Sequence, residues 1–214
     1  MKALVDNDVL LKSARYGLLD QFLGGYPPVD DVVGVLGSAR FVLTNLLVKS
    51  KEAADATEVL PRLLAFIDGN QVLEPTVDEQ ELAAEFEAVA QQANLPMDTG
   101  ESLLCSMLIR RTLPRLITGD KRAIVAVEQL IDLCPHIRDI VGKLMCMEQL
   151  VLERLTAESL EEIKMAICRR PSADKALFIC CACSSATPDI DVISEALNSY
   201  IRSLRTTAQR ALCA

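Results

Sequence analysis

RLITGDKR, residues 115–122, decides how the chain reads. Pro114 leads into Arg115-Leu116-Ile117-Thr118, a short apolar run, and Gly119-Asp120 follows at once, with Asp120 where a helix N-cap belongs. The helical pattern of Lys121–Leu133 comes next. The same order of short strand, acid and helix recurs at the start: Lys2-Ala3-Leu4-Val5 ends in Asp6, and Asp8 caps a helix from Val9 to about Phe22, stopped by Gly24-Gly25 and Pro27-Pro28. Gln71-Val72-Leu73-Glu74 before Pro75 gives a further strand. Strands alternating with helices predict an α/β fold whose short parallel sheet is covered on both faces.

The intervening segments read as helices. Residues 29–69, with Val32, Val33, Leu36, Phe41, Leu43 and Leu47, suggest two or three. Over 78–93, Leu82, Phe86, Val89, Ala90 and Ala93 form a face opposed by Glu81, Glu85 and Gln92. After Pro96, Asp98-Thr99-Gly100-Glu101 opens another helix to about Arg111. Cys134-Pro135 ends this unit, so the expected domain is 1–134. Residues 135–214 read as an all-helical extension from the spacing of Ile140, Leu144, Met147, Leu150, Val151 and Leu155, with a last helix from about Asp191 to Ala211 after Pro188.

The chain has 214 residues, is 50% hydrophobic and only 4% aromatic, so its core must come from Leu, Val, Ile and Ala. No stretch is apolar for long enough to cross a membrane, and Asp6, Asp8 and Lys12 occupy the place of a signal peptide's apolar segment. The expectation is a cytoplasmic protein. Its eight cysteines are irregularly spaced and read as reduced, and Cys180-Cys181-Ala182-Cys183 reads as core packing. His136, the one histidine, has no recognisable nucleophile motif around any Cys. The net charge of −8 argues against holding nucleic acid by bulk electrostatics. All of that excess lies in residues 1–134, with 20 acids against 12 bases; residues 135–214 hold 10 of each.

The placement of the acids is the informative feature. Asp6 ends one strand, Asp98 and Glu101 open the helix before another, and Asp120 follows that strand. Ligand sites collect at the carboxyl ends of parallel strands. Carboxylates gathered there repel one another unless a cation compensates, and oxygen-only clusters suit Mg2+ or Mn2+. The competing reading is helix capping: Asp8 and Asp120 make good N-caps, and Asp98 with Glu101 fits a capping box.

ALVDNDVLLK at the start, LPMDTGESLLCSMLI at 95–109 and RLITGDKRAI at 115–124 together resemble the PIN domain, a family of metal-dependent ribonucleases that includes many prokaryotic toxins. The resemblance covers about residues 1–134. It implies a PIN-like three-layer sandwich and a nuclease that hydrolyses phosphodiester bonds, with RNA as substrate, through a metal-activated water. Residue by residue, it makes Asp6 the first metal ligand, Glu101 the third acid and Asp120 the fourth, with Asp98 supporting the Mg2+ or Mn2+ and Thr118 as the small hydroxyl residue before the last acid. Where the family carries a second acid, ARFVLTNLLVK presents Thr44 and Asn45. Either Asp8 or Asp98 substitutes, or the chain is a catalytically degenerate relative that serves as an interaction protein.

Asp6-Asn7-Asp8 also fits the start of haloacid dehalogenase-like phosphatases, but no further acid follows Asp120 closely enough for their late metal motif. Arg110, Arg111, Arg115, Lys121 and Arg122 cluster in sequence around the third of the strands read here and are the candidates for touching a nucleic-acid backbone; a solvated face is the alternative. The helical part 135–214 offers apolar faces for a protein partner or a second copy. Arg202, Arg205 and Arg210 suit the C-terminal end of a helix dipole.

Overall fold

The computed structural model describes residues 3–24, 32–184 and 189–214. Lys2, Gly25, Pro27-Pro28 and Pro188, which figure in the sequence reading, lie outside them. The chain runs β1 (Leu4–Val5), α1 (Asn7–Tyr16), α2 (Leu19–Phe22), β2 (Gly34–Leu36), α3 (Ala39–Val48), a π-helical turn (Asp55–Val59), α4 (Leu60–Asp68) and β3 (Gln71–Leu73). It continues through α5 (Val77–Gln92), α6 (Thr99–Arg110), β4 (Leu116–Thr118), α7 (Lys121–Leu133), a 3-10 helix (Pro135–Ile140) and β5 (Leu144–Cys146), and ends with α8 (Met147–Arg154), α9 (Leu160–Cys168), α10 (Lys175–Cys180) and α11 (Ile190–Arg205).

The five strands form one parallel sheet in the order β3-β2-β1-β4-β5. Strand residues alternate between two apolar clusters, as the period of two requires. Val5, Val35, Ile117 and Met145 join α1–α4 and α8–α10 in one. Leu4, Leu36, Leu116 and Leu144 join α5, α6 and α7 in the other, where Phe86 is fully buried.

Several boundaries differ from the sequence reading. The first helix stops at Tyr16 because Gly17 takes a left-handed conformation, φ +76°, and its amide closes back on Ala14 and Ser13 carbonyls. Gly34-Val35-Leu36, read as helical, is a strand between β1 and β3. The all-helical reading of 135–214 is corrected at Leu144–Cys146, which pairs with Leu116–Thr118 and enters the sheet. Ala211 and Cys213 also bond the Leu144 backbone, and Arg210 is clamped by Glu128 and Asp132 of α7. The last helix ends at Arg205. The reading of all cysteines as reduced is corrected too: Cys168 and Cys183 are disulfide-bonded, while the other six are free and buried. Among the described residues no helix is long and apolar enough to cross a membrane.

Candidate functional site

Chain order fixes where a ligand crevice opens. From β1 the chain builds outward to β2 and β3, then returns to place β4 and β5 on the other side. β1 and β4 therefore flank the point where winding reverses, and helices leaving their carboxyl ends diverge to opposite faces. Asp6 follows β1 and Asp120 follows β4. An open cleft of about 490 Å3 lies there, and its lining includes Asp6, Asp8, Lys12, Asp98, Glu101 and Asp120.

Each acid is held by its element. Asp6 is the residue before α1, but its side chain makes no capping bond; instead its Oδ2 accepts from Thr118 Oγ1 at 3.0 Å. The same Thr118 oxygen accepts the Asp120 amide at 3.2 Å, so one hydroxyl ties the ends of β1 and β4 together. Asp98 and Glu101 form the reciprocal capping box at the start of α6: the Glu101 amide donates to Asp98 Oδ1 at 2.8 Å and the Asp98 amide to Glu101 Oε2 at 2.9 Å. Asp120 caps α7 by accepting from the Arg122 and Ala123 amides, and the Arg122 guanidinium also reaches it, at 2.9 Å from Oδ2. Capping and gathering at one crevice thus hold together for Asp98, Glu101 and Asp120; the reading of Asp8 as an N-cap is corrected, since α1 begins at Asn7 and Asp8 lies inside its first turn.

The electrostatics separate these acids. Burial pushes Asp6 up to about 6, with the Asp8 and Asp98 carboxylates adding to the rise and the Thr118 bond opposing it. Burial also pushes Glu101 up to about 7, reinforced by Asp98, Asp120 and Asp6. For Asp120 burial acts upward, yet the bonds from Arg122 and from the amides of α7 outweigh it and hold the carboxyl below its ordinary value. Asp8 is paired with Lys12 at 2.7 Å, one turn on, and Lys12 also pairs with Asp174 at 2.7 Å. Gly119 leaves room for this: an added Cβ would fall 2.1 Å from Asp8 Oδ2.

These acids do not bring three ligand oxygens within 4.8 Å of one another. The donor set is still the right one for Mg2+, which keeps several waters and takes one or two carboxylates directly. A divalent cation would relieve the repulsion recorded in the raised Asp6 and Glu101.

The basic residues disperse. Arg111, at the end of α6, is spent on Glu79 at 2.6 Å and on the Glu74 carbonyl. Arg110 lies beside it, about 14 Å along the helix from Glu101. Arg115 enters β4 at the edge away from Asp120 and reaches Glu153 at 3.2 Å. Lys121 pairs with the buried Glu148 and sits 5.2 Å from the Tyr200 ring. Arg122 alone of the five pairs with a cleft acid, Asp120, and its side chain is 79% exposed. Sequence reasoning missed Lys12 and Asp174. The four-residue spacing from Asp8 signals Lys12, whereas nothing local signals Asp174. A larger groove of about 680 Å3 at the other end of α1 is lined by four arginines and four glutamates, so its formal charges balance.

No family model matches the sequence, and no curated protein matches it. Among solved structures the chain is similar to VapBC2 from Rickettsia felis, crystallised bound to a DNA fragment from their promoter. That likeness has 12% identity and a TM-score of 0.46, over 68% of this chain and 98% of that one.

Proposed function

We propose that the chain is a PIN-like, three-layer α/β protein that hydrolyses phosphodiester bonds in RNA as an Mg2+- or Mn2+-dependent endonuclease. The observation that carries this reading is the gathering of Asp6, Glu101 and Asp120 around the β1/β4 crevice, with two of the three carboxyls raised by burial and by neighbouring carboxylates. Asp6, Glu101 and Asp120 would hold the ion, with Asp98 supporting Glu101 through the capping box. A bound ion supplies water activation and stabilises the charge that develops on phosphate oxygens. Thr118 fixes the Asp6 carboxylate and, through the Asp120 amide, the spacing of the two strand ends. Arg122 exchanges its Asp120 partner for a backbone phosphate when substrate arrives, which its exposure permits. Lys12 pairs with Asp8 on the cleft wall and offsets part of the charge that Asp8 brings beside Asp6.

The test is cleavage of single-stranded RNA by the purified chain with Mn2+. Wild type is expected to cut, and Asp6→Asn and Asp120→Asn to lose about 10²–10³-fold, the scale for removing one group that stabilises transition-state charge. A folded wild type that cuts nothing with either ion overturns the catalytic reading. The second reading, a degenerate interaction protein, is favoured by Thr44 and Asn45 on α3 and by the Arg122 clamp on Asp120. It predicts that null result together with no response of the melting temperature to Mn2+.

A further inference from the structure

Away from the acid cleft, three side chains with different donor atoms meet where α5 passes the end of α7. Glu85 comes from the middle of α5. Cys134 follows α7, and His136 lies in the 3-10 helix behind Pro135, whose ring fixes the backbone between them. Cys134 Sγ lies 3.2 Å from Glu85 Oε1, and His136 Nδ1 lies 2.9 Å from the same oxygen and 3.0 Å from Oε2. Among the described residues this is the one group of three His, Cys, Asp or Glu whose ligand atoms all lie within 4.8 Å of one another.

We propose that Glu85, Cys134 and His136 form a binding site for a borderline-soft divalent ion, Zn2+ foremost, separate from the acid cleft. Tetrahedral bonds of about 2.0–2.3 Å place neighbouring ligand atoms roughly 3.3–3.7 Å apart, so the observed atoms need to part by only about 0.5 Å. One sulfur, one imidazole nitrogen and one carboxylate select Zn2+ over Mg2+, which wants oxygen alone. Cys134 is anchored: it is 1% exposed, and its amide bonds the Leu130 carbonyl at 2.8 Å. The His136 side chain is 65% exposed and that of Glu85 40%, so the ion has a way in and its fourth position faces solvent. On binding, the Cys134 thiol gives its proton to solvent and ligates as thiolate, while His136 ligates through Nδ1 with its proton on Nε2. The two internal hydrogen bonds are exchanged for bonds to the metal. The site lies beyond the far end of α7 from Asp120, about 20 Å along that helix.

Chelator-stripped full chain titrated with Co2+ under oxygen-free conditions should develop a thiolate-to-cobalt charge-transfer band that saturates at one equivalent and is bleached by Zn2+. His136→Ala and Glu85→Gln should weaken binding by more than the about 10–100-fold typical of losing an outer-shell partner. Cys134→Ser should abolish the band. Because Cys134 is buried, circular dichroism accompanies that variant; if it unfolds, the exposed His136→Ala decides. Asp6→Asn should leave the titration unchanged, which separates this site from the proposed nuclease centre. Absence of the band in wild type, or a band undiminished in folded Cys134→Ser or in His136→Ala, overturns the assignment.

Discussion

Asp55 and Asp6 are both carboxylates withdrawn from water, and they respond in opposite directions. Asp55 is 0% exposed and meets the Arg15 guanidinium at 2.6 Å. Burial acts upward on it, but the Arg15 bond wins and holds it below its ordinary value. Asp6 has a hydroxyl and two carboxylates for neighbours and is raised to about 6. Around Asp55, as between Lys12 and Asp174 or Lys121 and Glu148, the chain supplies the cation itself. Around Asp6 and Glu101 it does not. The difference teaches that the cleft acids are arranged at a cost to the folded state, which a proton or a cation from outside the chain offsets.

The largest effect should come from breaking the satisfied region. Arg15→Ala strands the Asp55 carboxylate in the core and should cost about 3 kcal/mol, read as a lower urea midpoint, because removing one partner of a buried pair leaves an uncompensated charge. The unsatisfied region should respond with the other sign. Between about pH 4 and 6 folded Asp6 binds more protons than unfolded Asp6, so its share of metal-free stability is lost as pH rises through that window, and Glu101, raised to about 7, carries the decline about a unit further. Asp6→Asn keeps an acceptor for Thr118 and should therefore raise metal-free stability at pH 7.5 by on the order of 1–3 kcal/mol. It should also flatten the pH profile and abolish the rise in melting temperature that millimolar Mn2+ gives wild type. The smallest effect belongs to Arg122→Ala. Exposed ion pairs contribute little, so its melting temperature should match wild type, yet its Mn2+ affinity, measured calorimetrically, should increase because Asp120 is freed. Weaker Mn2+ binding in that variant would show that Arg122 is not competing with the ion.

The sequence reveals the acids because strand ends and helix starts are local: RLITGDKR contains β4, the turn after it and the cap of α7 within eight residues. All five strands are only two or three residues long; β3 and β4 are betrayed by Pro75 and Pro114 beside them, whereas β2 has no such neighbour and its Val32 and Leu36 fall at helical spacing. In β5, Leu144 also happens to fall at helical spacing between Ile140 and Met147. Gly142, at φ +71°, is the local mark of that break. Long-range chemistry is invisible to spacing for a different reason. Asp174 reaches Lys12, and Glu85 reaches Cys134 and His136, only after the chain has folded back across the sheet. His136 meets its partner 51 residues away on α5, beyond the span of any motif read along the chain.

The backbone bonds that Leu144 makes to Ala211 and Cys213 have a consequence for association between molecules. An outer strand with free amides and carbonyls is a template for another chain to pair with. Here residues 211–213 occupy the outer side of β5, and Glu128 and Asp132 pin Arg210 just before them. That segment takes up the outward-facing amide and carbonyl of Leu144, so this stretch of the strand is already paired within its own molecule and is closed to a neighbour.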